Sequence, residues 1–190
     1  WHKLKYFSEL FANQQPGDDI IVMDIDQLIV SNIDNLIKYP VQDGQLVSYN
    51  KWWDTNPKPP VSINGGFYKF KSGSLNCVWN KFIEDPEYWQ LHYYSQNVVH
   101  HKYYGEQNFV EFVCKDNGVD ILHMPGEWVG KYTNNSTTNR KLNLMYAEKF
   151  KQDYMVLDGP NENIKILHFA NPDSTIHDCS EDWIKEYWLI

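Results

Sequence analysis

The chain has 190 residues, of which 42% are hydrophobic and 22% are charged, and this composition suits one domain with a substantial core. Its 17 basic and 25 acidic residues give a formal net charge of −8, which argues against a nucleic-acid partner, because such proteins present a basic face. A phosphate-bearing substrate is compatible with this charge, since a divalent cation neutralises a diphosphate locally. Three widely spaced cysteines, Cys77, Cys114 and Cys179, indicate neither a disulfide framework nor a zinc site.

Apolar periodicity predicts helices and strands that interleave along the whole chain. The predicted helices cover residues 2–12, a helical turn at 34–39, a segment capped by Ser74, residues 105–117 and a last helix capped by Ser180. The predicted strands cover residues 20–23, 28–30 (a short strand or a turn), 46–49, 61–64 continuing through 67–70, 121–124 and 165–169. Residues 52–60 and 130–143 are interpreted as loops. This alternation indicates an α/β domain.

Two aspartates follow the first predicted strand. Residues 20–23 are all apolar, which is typical of a central strand covered on both faces, and the run ends in Asp24-Ile25-Asp26. Positions i and i+2 of a strand share a face, so both carboxylates are expected to point into the crevice at the carboxyl end of the sheet. Carboxylates held so close repel each other unless a cation lies between them, and oxygen ligands select Mg²⁺ or Mn²⁺. Asp24 and Asp26 are therefore candidate metal ligands, and a pair of solvated loop acids is the alternative.

A histidine lies at the end of the last predicted strand. His168 follows Ile166 and Leu167, and neutral imidazole is a good ligand for Mn²⁺. Four other histidines compete for this role: His100, His101, His123 and His177. Nothing in the linear sequence brings His168 to Asp26, so the expectation that they share one cation depends on the fold.

Five segments, taken in order, resemble glycosyltransferases of the GT-A type. Residues 20–30 resemble the strand and D-x-D motif of these enzymes. Residues 63–70, which contain Asn64-Gly65-Gly66, are similar to the N-[SG]-G segment and apolar strand of the glycogenin and galactinol synthase group. Residues 105–108, with Glu106-Gln107, resemble the [GD]-D-Q helix start of that group, and galactosyltransferases of the galactomannan type share the same outline.

The last two of these segments lie in the second half of the chain. Met124-Pro125 with Trp128 resembles the L-P…W-N strand end of the same group, and residues 166–169, with His168, look like its final metal-ligand segment. Three departures leave the donor sugar and the acceptor open: Gly65 stands where many relatives have Ser, Glu106 replaces Asp, and no K-P-W tail follows His168.

The resemblance implies a GT-A fold, with a mixed central sheet flanked by helices, in a single catalytic domain over residues 1–190. It implies a hexosyltransferase that moves a hexose from a UDP-sugar to a glycan or protein-linked acceptor, with retention of configuration. Its cofactor would be Mn²⁺ or Mg²⁺, held by Asp24, Asp26 and His168. The residues implied in donor binding are Lys3, Asp24, Ile25, Asp26, Asn64, Gly65 and Gly66, and those implied in catalysis are Glu106 and Gln107.

Two other classes of function stay open. A non-catalytic carbohydrate-binding domain would use the plentiful aromatic residues, but such domains are usually all-β. A metal-dependent nucleotidyltransferase would also use paired aspartates, but the sequence has no Gly-rich phosphate loop.

The resemblance also bears on what precedes the chain and on its compartment. It implies a first strand and a uridine-binding loop ahead of Trp1, so we expect an N-terminally truncated chain. No apolar run reaches the roughly 20 residues of a membrane span. A cytoplasmic location is favoured, with the Golgi lumen as the alternative if an N-terminal anchor has been removed.

Overall fold

The computed structural model describes residues 1–9, 11–50, 61–100, 105–131, 155–156, 163–169 and 182–188. Two compact units divide the chain, the first comprising Trp1–Met23, Pro40–Lys51 and Lys58–His123, and the second Asp24–Tyr39, Trp52–Pro57 and Met124–Ile190. The predicted loop at 52–60, most of the loop at 130–143 and the predicted cap Ser180 lie outside the described residues. A single catalytic domain over the whole chain stays a prediction.

A mixed four-stranded sheet forms the centre of the first unit. Its strands are β1 (Asp19–Met23), β3 (Gln45–Asn50), β4 (Ile63–Lys71) and β5 (Asp120–His123). Their order is β1-β4-β3-β5, with β4 antiparallel to both of its neighbours and β3 parallel to β5. The helices of this unit are α2 (Asn76–Glu84), α3 (Pro86–His100) and α4 (Glu106–Asp116), with 3-10 helices at His2–Phe7 and Phe11–Asn13.

The core of the first unit is built on β4. Every residue of this strand except Lys71 is buried. Phe70 stacks on Phe7 of the first 3-10 helix with ring centroids 4.5 Å apart, and Phe109 and Val113 of α4 belong to the same apolar cluster. Burial of large aromatic side chains contributes most to such a core. The strand that carries the predicted Asn-Gly-Gly segment is therefore the best-anchored strand of the unit.

Strand β1 differs from the sequence prediction in its position. The apolar run predicted a central strand covered on both faces, but β1 ends the order of the described sheet and only Val22 is buried in it. The prediction of a central position is therefore wrong. A run of four apolar residues predicts that a strand forms. It does not predict which strands lie beside it, so the pairing with β4 could not be read from the run.

Three helices also differ from the predictions. The first is a 3-10 helix that ends at Phe7 rather than an α-helix to residue 12. Ser74 does not cap α2, because its hydroxyl donates to the Lys71 carbonyl at 2.8 Å and the helix begins after Leu75. Helix α3 was not predicted, although Pro86 is its first residue and proline favours the first turn of a helix.

The second unit has its own mixed sheet. Its strands are β2 (Gln27–Ile29), β6 (Val129–Lys131), β7 (Met155–Val156) and β8 (Ile166–His168), in the order β2-β8-β6-β7. β2 is antiparallel to β8, whereas β6 is parallel to both β8 and β7. The described helices are α1 (Asp34–Ile37) and α5 (Asp182–Trp188), with a 3-10 helix at Gly126–Trp128.

A small apolar cluster holds this second sheet together. Leu28 of β2 and Leu167 of β8 are cross-strand partners and pack with Ile164, Phe169 and Ile184 of α5. The cluster fixes the register of β2 against β8, because a slip by one residue would turn both leucines to the opposite face. Across the described part of the chain, none of the helices has the length and apolarity that crossing a bilayer requires.

Candidate functional site

Asp24, Asp26 and His168 converge in the second unit. One ligand atom from each residue lies within 4.8 Å of the others, and His168 Nε2 is 3.7 Å from Asp26 Oδ1. An ion bonded at about 2.1 Å has adjacent ligand atoms about 3 Å apart and opposite ones about 4.2 Å apart. Small side-chain rotations therefore suffice for all three residues to contact one ion. The structure brings together the three residues that the sequence proposed as metal ligands.

The two aspartates lie in the connection between β1 and β2. β1 ends at Met23, and the chain bends at Ile25 and Asp26 before β2 begins. Asp24 and Asp26 are therefore not positions i and i+2 of one strand, and the predicted sharing of a strand face is wrong. The side chain of Ile25, a predicted donor-binding residue, is 99% exposed, and that of Asp26 is half exposed.

Pairing of β2 with β8 places His168 beside the acids. The Phe169 N–H donates to the Asp26 carbonyl at 3.0 Å, so the ladder itself joins the acid-bearing connection to the strand that carries His168. His168 is 5% exposed, whereas Asp26 is at the surface. The histidine is thus the buried member of the group, and Asp26 is its solvent-exposed member. One imidazole nitrogen with carboxylate oxygens suits Mn²⁺.

The first unit holds the remaining predicted residues around Gly65. The Gly65 N–H donates to Gln107 Oε1 at 2.8 Å, and Lys3 Nζ donates to the Gly65 carbonyl at 2.5 Å. Asn64 Oδ1 accepts the Gly66 N–H at 2.7 Å. We call Lys3, Asn64, Gly65, Gly66, Glu106 and Gln107 the glycine-pair cluster. Five of its members contact each other through the backbone of the two glycines.

A bulge explains why these glycine backbone groups bond to side chains. β3 pairs Ser48 with Tyr68 and the next residue, Tyr49, with Asn64, so Gly65, Gly66 and Phe67 fall between two consecutive ladder positions. Such a bulge releases backbone groups from the ladder and bends the strand. A glycine pair in a strand suits either close approach of a substrate to the backbone or a bulge, and the bulge is present.

Glu106 and Gln107 occupy the first turn of α4, and both are buried. Gly105 precedes them with φ 68° and ψ −128°, a conformation that glycine adopts readily. Lys3 Nζ lies 3.6 Å from Glu106 Oε1, and the Glu106 carboxylate also suits the positive end of the helix dipole. Lys3 was predicted as a donor-binding residue. In the structure its ammonium group donates to the Gly65 carbonyl and pairs with the Glu106 carboxylate.

Asn64 offers a buried donor within this cluster. The residue is 2% exposed, and none of the described residues accepts a hydrogen bond from its Nδ2. Its backbone carbonyl accepts from the buried Ser48 hydroxyl at 2.9 Å, which fixes the orientation of the peptide. A buried amide donor is costly unless an oxygen atom approaches it, so Nδ2 is suited to a ligand oxygen.

Glu111, which was not predicted from the sequence, supports the glycine-pair cluster from the next turn of α4. Its carboxylate accepts the Ser62 N–H at 3.0 Å and the Ser62 hydroxyl, and it pairs with Lys115 at 2.9 Å. It thereby ties the chain just before β4 to the helix that carries Gln107. The spacing of four residues from Gln107 was the available signal, since such residues share a helix face.

No model of a known protein family matches this sequence, and no curated protein matches it. Solved structures do resemble it. The galactosyltransferase LgtC, in complex with donor and acceptor sugar analogues, superposes with a TM-score of 0.55 at 11% identity, covering 100% of this chain and 64% of that one. The glycosyltransferase GlyE of Streptococcus pneumoniae TIGR4 superposes with a TM-score of 0.51 at 17% identity, covering 97% of this chain and 41% of that one.

A third structure, of an active-site mutant of LgtC, gives a TM-score of 0.52 at 11% identity and covers 98% of this chain and 64% of that one. The chain thus spans less than two thirds of the length of these three structures. The likeness shows the fold alone: a mixed α/β structure with the GT-A fold, as the sequence predicted.

Proposed function

We propose that this chain carries the metal centre and the donor-sugar residues of a glycosyltransferase. The enzyme would move a hexose from a UDP-sugar to a glycan or protein-linked acceptor. The observation that supports this most strongly is the convergence of Asp24, Asp26 and His168 in a chain with a GT-A fold. Neither a carbohydrate-binding domain nor a solvated acidic turn requires a buried histidine beside two carboxylates.

The residues of this group fit Mn²⁺ or Mg²⁺. Asp24 and Asp26 offer hard oxygen ligands, and the buried His168 offers a nitrogen. A bound ion would act as a Lewis acid that neutralises charge on the diphosphate of the leaving nucleotide. The two carboxylates and the imidazole would hold the ion at the end of β8.

We assign recognition of the donor sugar to Asn64, Gly65 and Gly66. Asn64 Nδ2 is a buried donor suited to a hydroxyl oxygen, and glycines without side chains let a sugar ring approach the backbone. Glu106 and Gln107 are assigned to contacts with the sugar or the acceptor hydroxyl. Gln107 Oε1 is committed to Gly65, so a substrate contact would use the Gln107 amide N–H groups. Retention of configuration follows the group that the sequence resembles.

A screen of nucleotide sugars with and without Mn²⁺ tests this function. We expect one UDP-sugar to raise the melting temperature only when Mn²⁺ is present, and to be hydrolysed slowly to UDP and free sugar. Asp26→Ala should abolish both effects. Asp34→Ala is the matched control, because Asp34 is an exposed carboxylate of the same unit whose ion pair is with Lys38.

The same screen separates the alternative functions. Stabilisation by a free oligosaccharide without metal would indicate a carbohydrate-binding domain. Stabilisation by a nucleoside triphosphate alone, with no response to any nucleotide sugar, would indicate a nucleotidyltransferase. Either result would contradict the proposed transferase.

A further inference from the structure

Asn64 lies on a short part of β4 that the bulge separates from the rest of the strand. Before the bulge, the described ladder between β3 and β4 has two positions, where Ile63 pairs with Asn50 and Asn64 pairs with Tyr49. β1 pairs with β4 after the bulge, at residues 67–71. Because a bulge disrupts the ladder locally, the part that carries Asn64 gains little support from the pairing that follows it. Contacts from outside the sheet therefore matter for its conformation.

Two side chains of α4 hold the backbone on either side of Asn64. On the C-terminal side, the Gly65 N–H donates to Gln107 Oε1 at 2.8 Å. On the N-terminal side, the Ser62 N–H donates to Glu111 Oε1 at 3.0 Å, and the Ser62 hydroxyl donates to the same oxygen. Gln107 and Glu111 are four residues apart and share a face of α4. One helix face thus fixes the chain both before and after Asn64.

Burial and charge suit the Glu111 carboxylate to this contact. Glu111 is buried, and its Oε1 atom also pairs with Lys115 Nζ at 2.9 Å. Hydrogen bonds to an ionised carboxylate are stronger than those between neutral groups, and one oxygen that accepts from both the N–H and the hydroxyl of Ser62 restrains its backbone and side chain together. Lys115 is largely exposed, so solvent screens that ion pair, and the bonds to Ser62 are the stronger restraint.

We propose that Glu111 is a positioning residue for Asn64, an inference that rests on the proposed role of Asn64 in binding the donor sugar. The Gly66 N–H donates to Asn64 Oδ1 at 2.7 Å and orients the side-chain amide. Glu111 and Gln107 hold the backbone from which this side chain projects. Loss of the Glu111 contact would therefore alter the position of Asn64 Nδ2, whereas the candidate metal ligands belong to the second unit.

Binding of UDP and of UDP-hexoses separates this role from a general loss of stability. The dissociation constants of UDP, UDP-glucose and UDP-galactose are measured by calorimetry for the full chain with Mn²⁺. In Glu111→Leu, which removes the acceptor, we expect the constant for the tighter UDP-hexose to rise about 10-fold. The constant for UDP should stay unchanged, because UDP lacks the sugar that Asn64 is proposed to contact. Glu111→Gln, which keeps an oxygen in place, should behave like the unmodified protein.

Lys115→Met is the matched control, because it removes the other partner of Glu111 Oε1 and leaves both bonds to Ser62. It should change none of the dissociation constants. Ser62→Ala removes the hydroxyl bond alone and should show a smaller effect of the same kind as Glu111→Leu, which provides a test even if Glu111→Leu does not fold. Equal weakening of UDP and UDP-hexose binding in these two variants would overturn the proposal.

A measurement without ligand separates this inference from the proposed function. Labelling with ¹⁵N-asparagine reports the side-chain amide of Asn64, with Asn76, which bonds to Glu9, as an internal reference. We expect the Asn64 signal to shift in Glu111→Leu and in Ser62→Ala while the Asn76 signal does not move. An unshifted Asn64 signal would overturn the positioning role. Failure of the unmodified protein to bind any of the three nucleotides would instead contradict the proposed function, and the asparagine signals would still decide the role of Glu111.

Discussion

Gln107 accepts the backbone N–H of Gly65 at 2.8 Å, and this hydrogen bond joins α4 to β4 in the interior of the first unit. It lies where the β3–β4 ladder is interrupted by the bulge, so a side chain takes the place of a ladder partner. The first turn of α4 therefore sets the conformation of the glycine pair. Gln107, which is proposed for catalysis, therefore also has a structural role. Its variants must be chosen to separate an effect on catalysis from an effect on stability.

Replacement of Gln107 by leucine should destabilise the protein, whereas replacement by glutamate should not. Leucine leaves the buried Gly65 N–H without its acceptor, at a cost of about 1–3 kcal/mol, and glutamate supplies an oxygen in the same place. Chemical denaturation gives the free energy of unfolding, and hydrogen exchange of the Gly65 amide reports the bond directly. Equal protection of this amide in the leucine variant and the unmodified protein would refute the assignment.

Gly65→Ala should also be destabilising, through crowding. A Cβ at this position would lie 3.1 Å from Tyr68 Oη and 3.2 Å from Gln107 Oε1, which is tighter than an ordinary contact. We expect a loss of about 1–3 kcal/mol in the free energy of unfolding, as for other overpacked sites. In a Tyr68→Phe background, which removes the nearest atom, the loss should be smaller. Strictly additive effects in this double-mutant cycle would show that the crowding lies elsewhere.

A carboxylate on β1 links two lysines of β4. Asp19 Oδ2 lies 2.9 Å from Nζ of Lys69, which is completely buried, and Asp19 Oδ1 lies 2.5 Å from Nζ of Lys71. Burial by itself raises the pKa of Asp19, but the hydrogen bonds and charges of Lys71 and Lys69 outweigh it and hold the pKa below the ordinary value of 3.8. The interaction also ties β1 to β4, the strand that carries the glycine pair.

Asp19→Asn should therefore lower stability at neutral pH, and the difference from the unmodified protein should shrink in acid. Because the folded-state pKa of Asp19 is below the unfolded value, its stabilisation is present above pH 3.8 and is lost as pH falls below that value. Urea unfolding at a series of pH values from 7 to 2 measures the difference. Asp34→Asn, an exposed acid paired with Lys38, serves as the control. A difference that grows in acid would contradict this account.

The sequence was sufficient to predict most strands and the candidate ligands, because these depend on local pattern. The apolar pattern predicted a strand over residues 165–169, and β8 forms within it at Ile166–His168. The meeting of His168 with Asp26 depends on pairing between β2 and β8, which are far apart in the chain. Cross-strand pairing over such a separation leaves no local signature, so only the fold revealed it.

Other features could not be predicted from the sequence, for different physical reasons. Lys3 was predicted only as a donor-binding residue, and its bonds to Gly65 and Glu106 arise when the first 3-10 helix packs against α4 and β4. The bulge at the glycine pair results from the register between β3 and β4. Helix α3 was not predicted, because a proline marks the end of one helix as well as the first turn of the next.

Electron-nuclear double resonance of Mn²⁺ bound to protein with ¹⁵N-labelled histidine tests the central claim most directly. We predict one Mn²⁺ per chain with a coupling to one histidine nitrogen, which disappears in His168→Ala, and a loss of bound Mn²⁺ in Asp26→Ala. His123→Ala should leave the spectrum unchanged. A Mn²⁺ signal without nitrogen coupling, or one that persists unaltered in His168→Ala, would contradict a shared site for the two aspartates and this histidine.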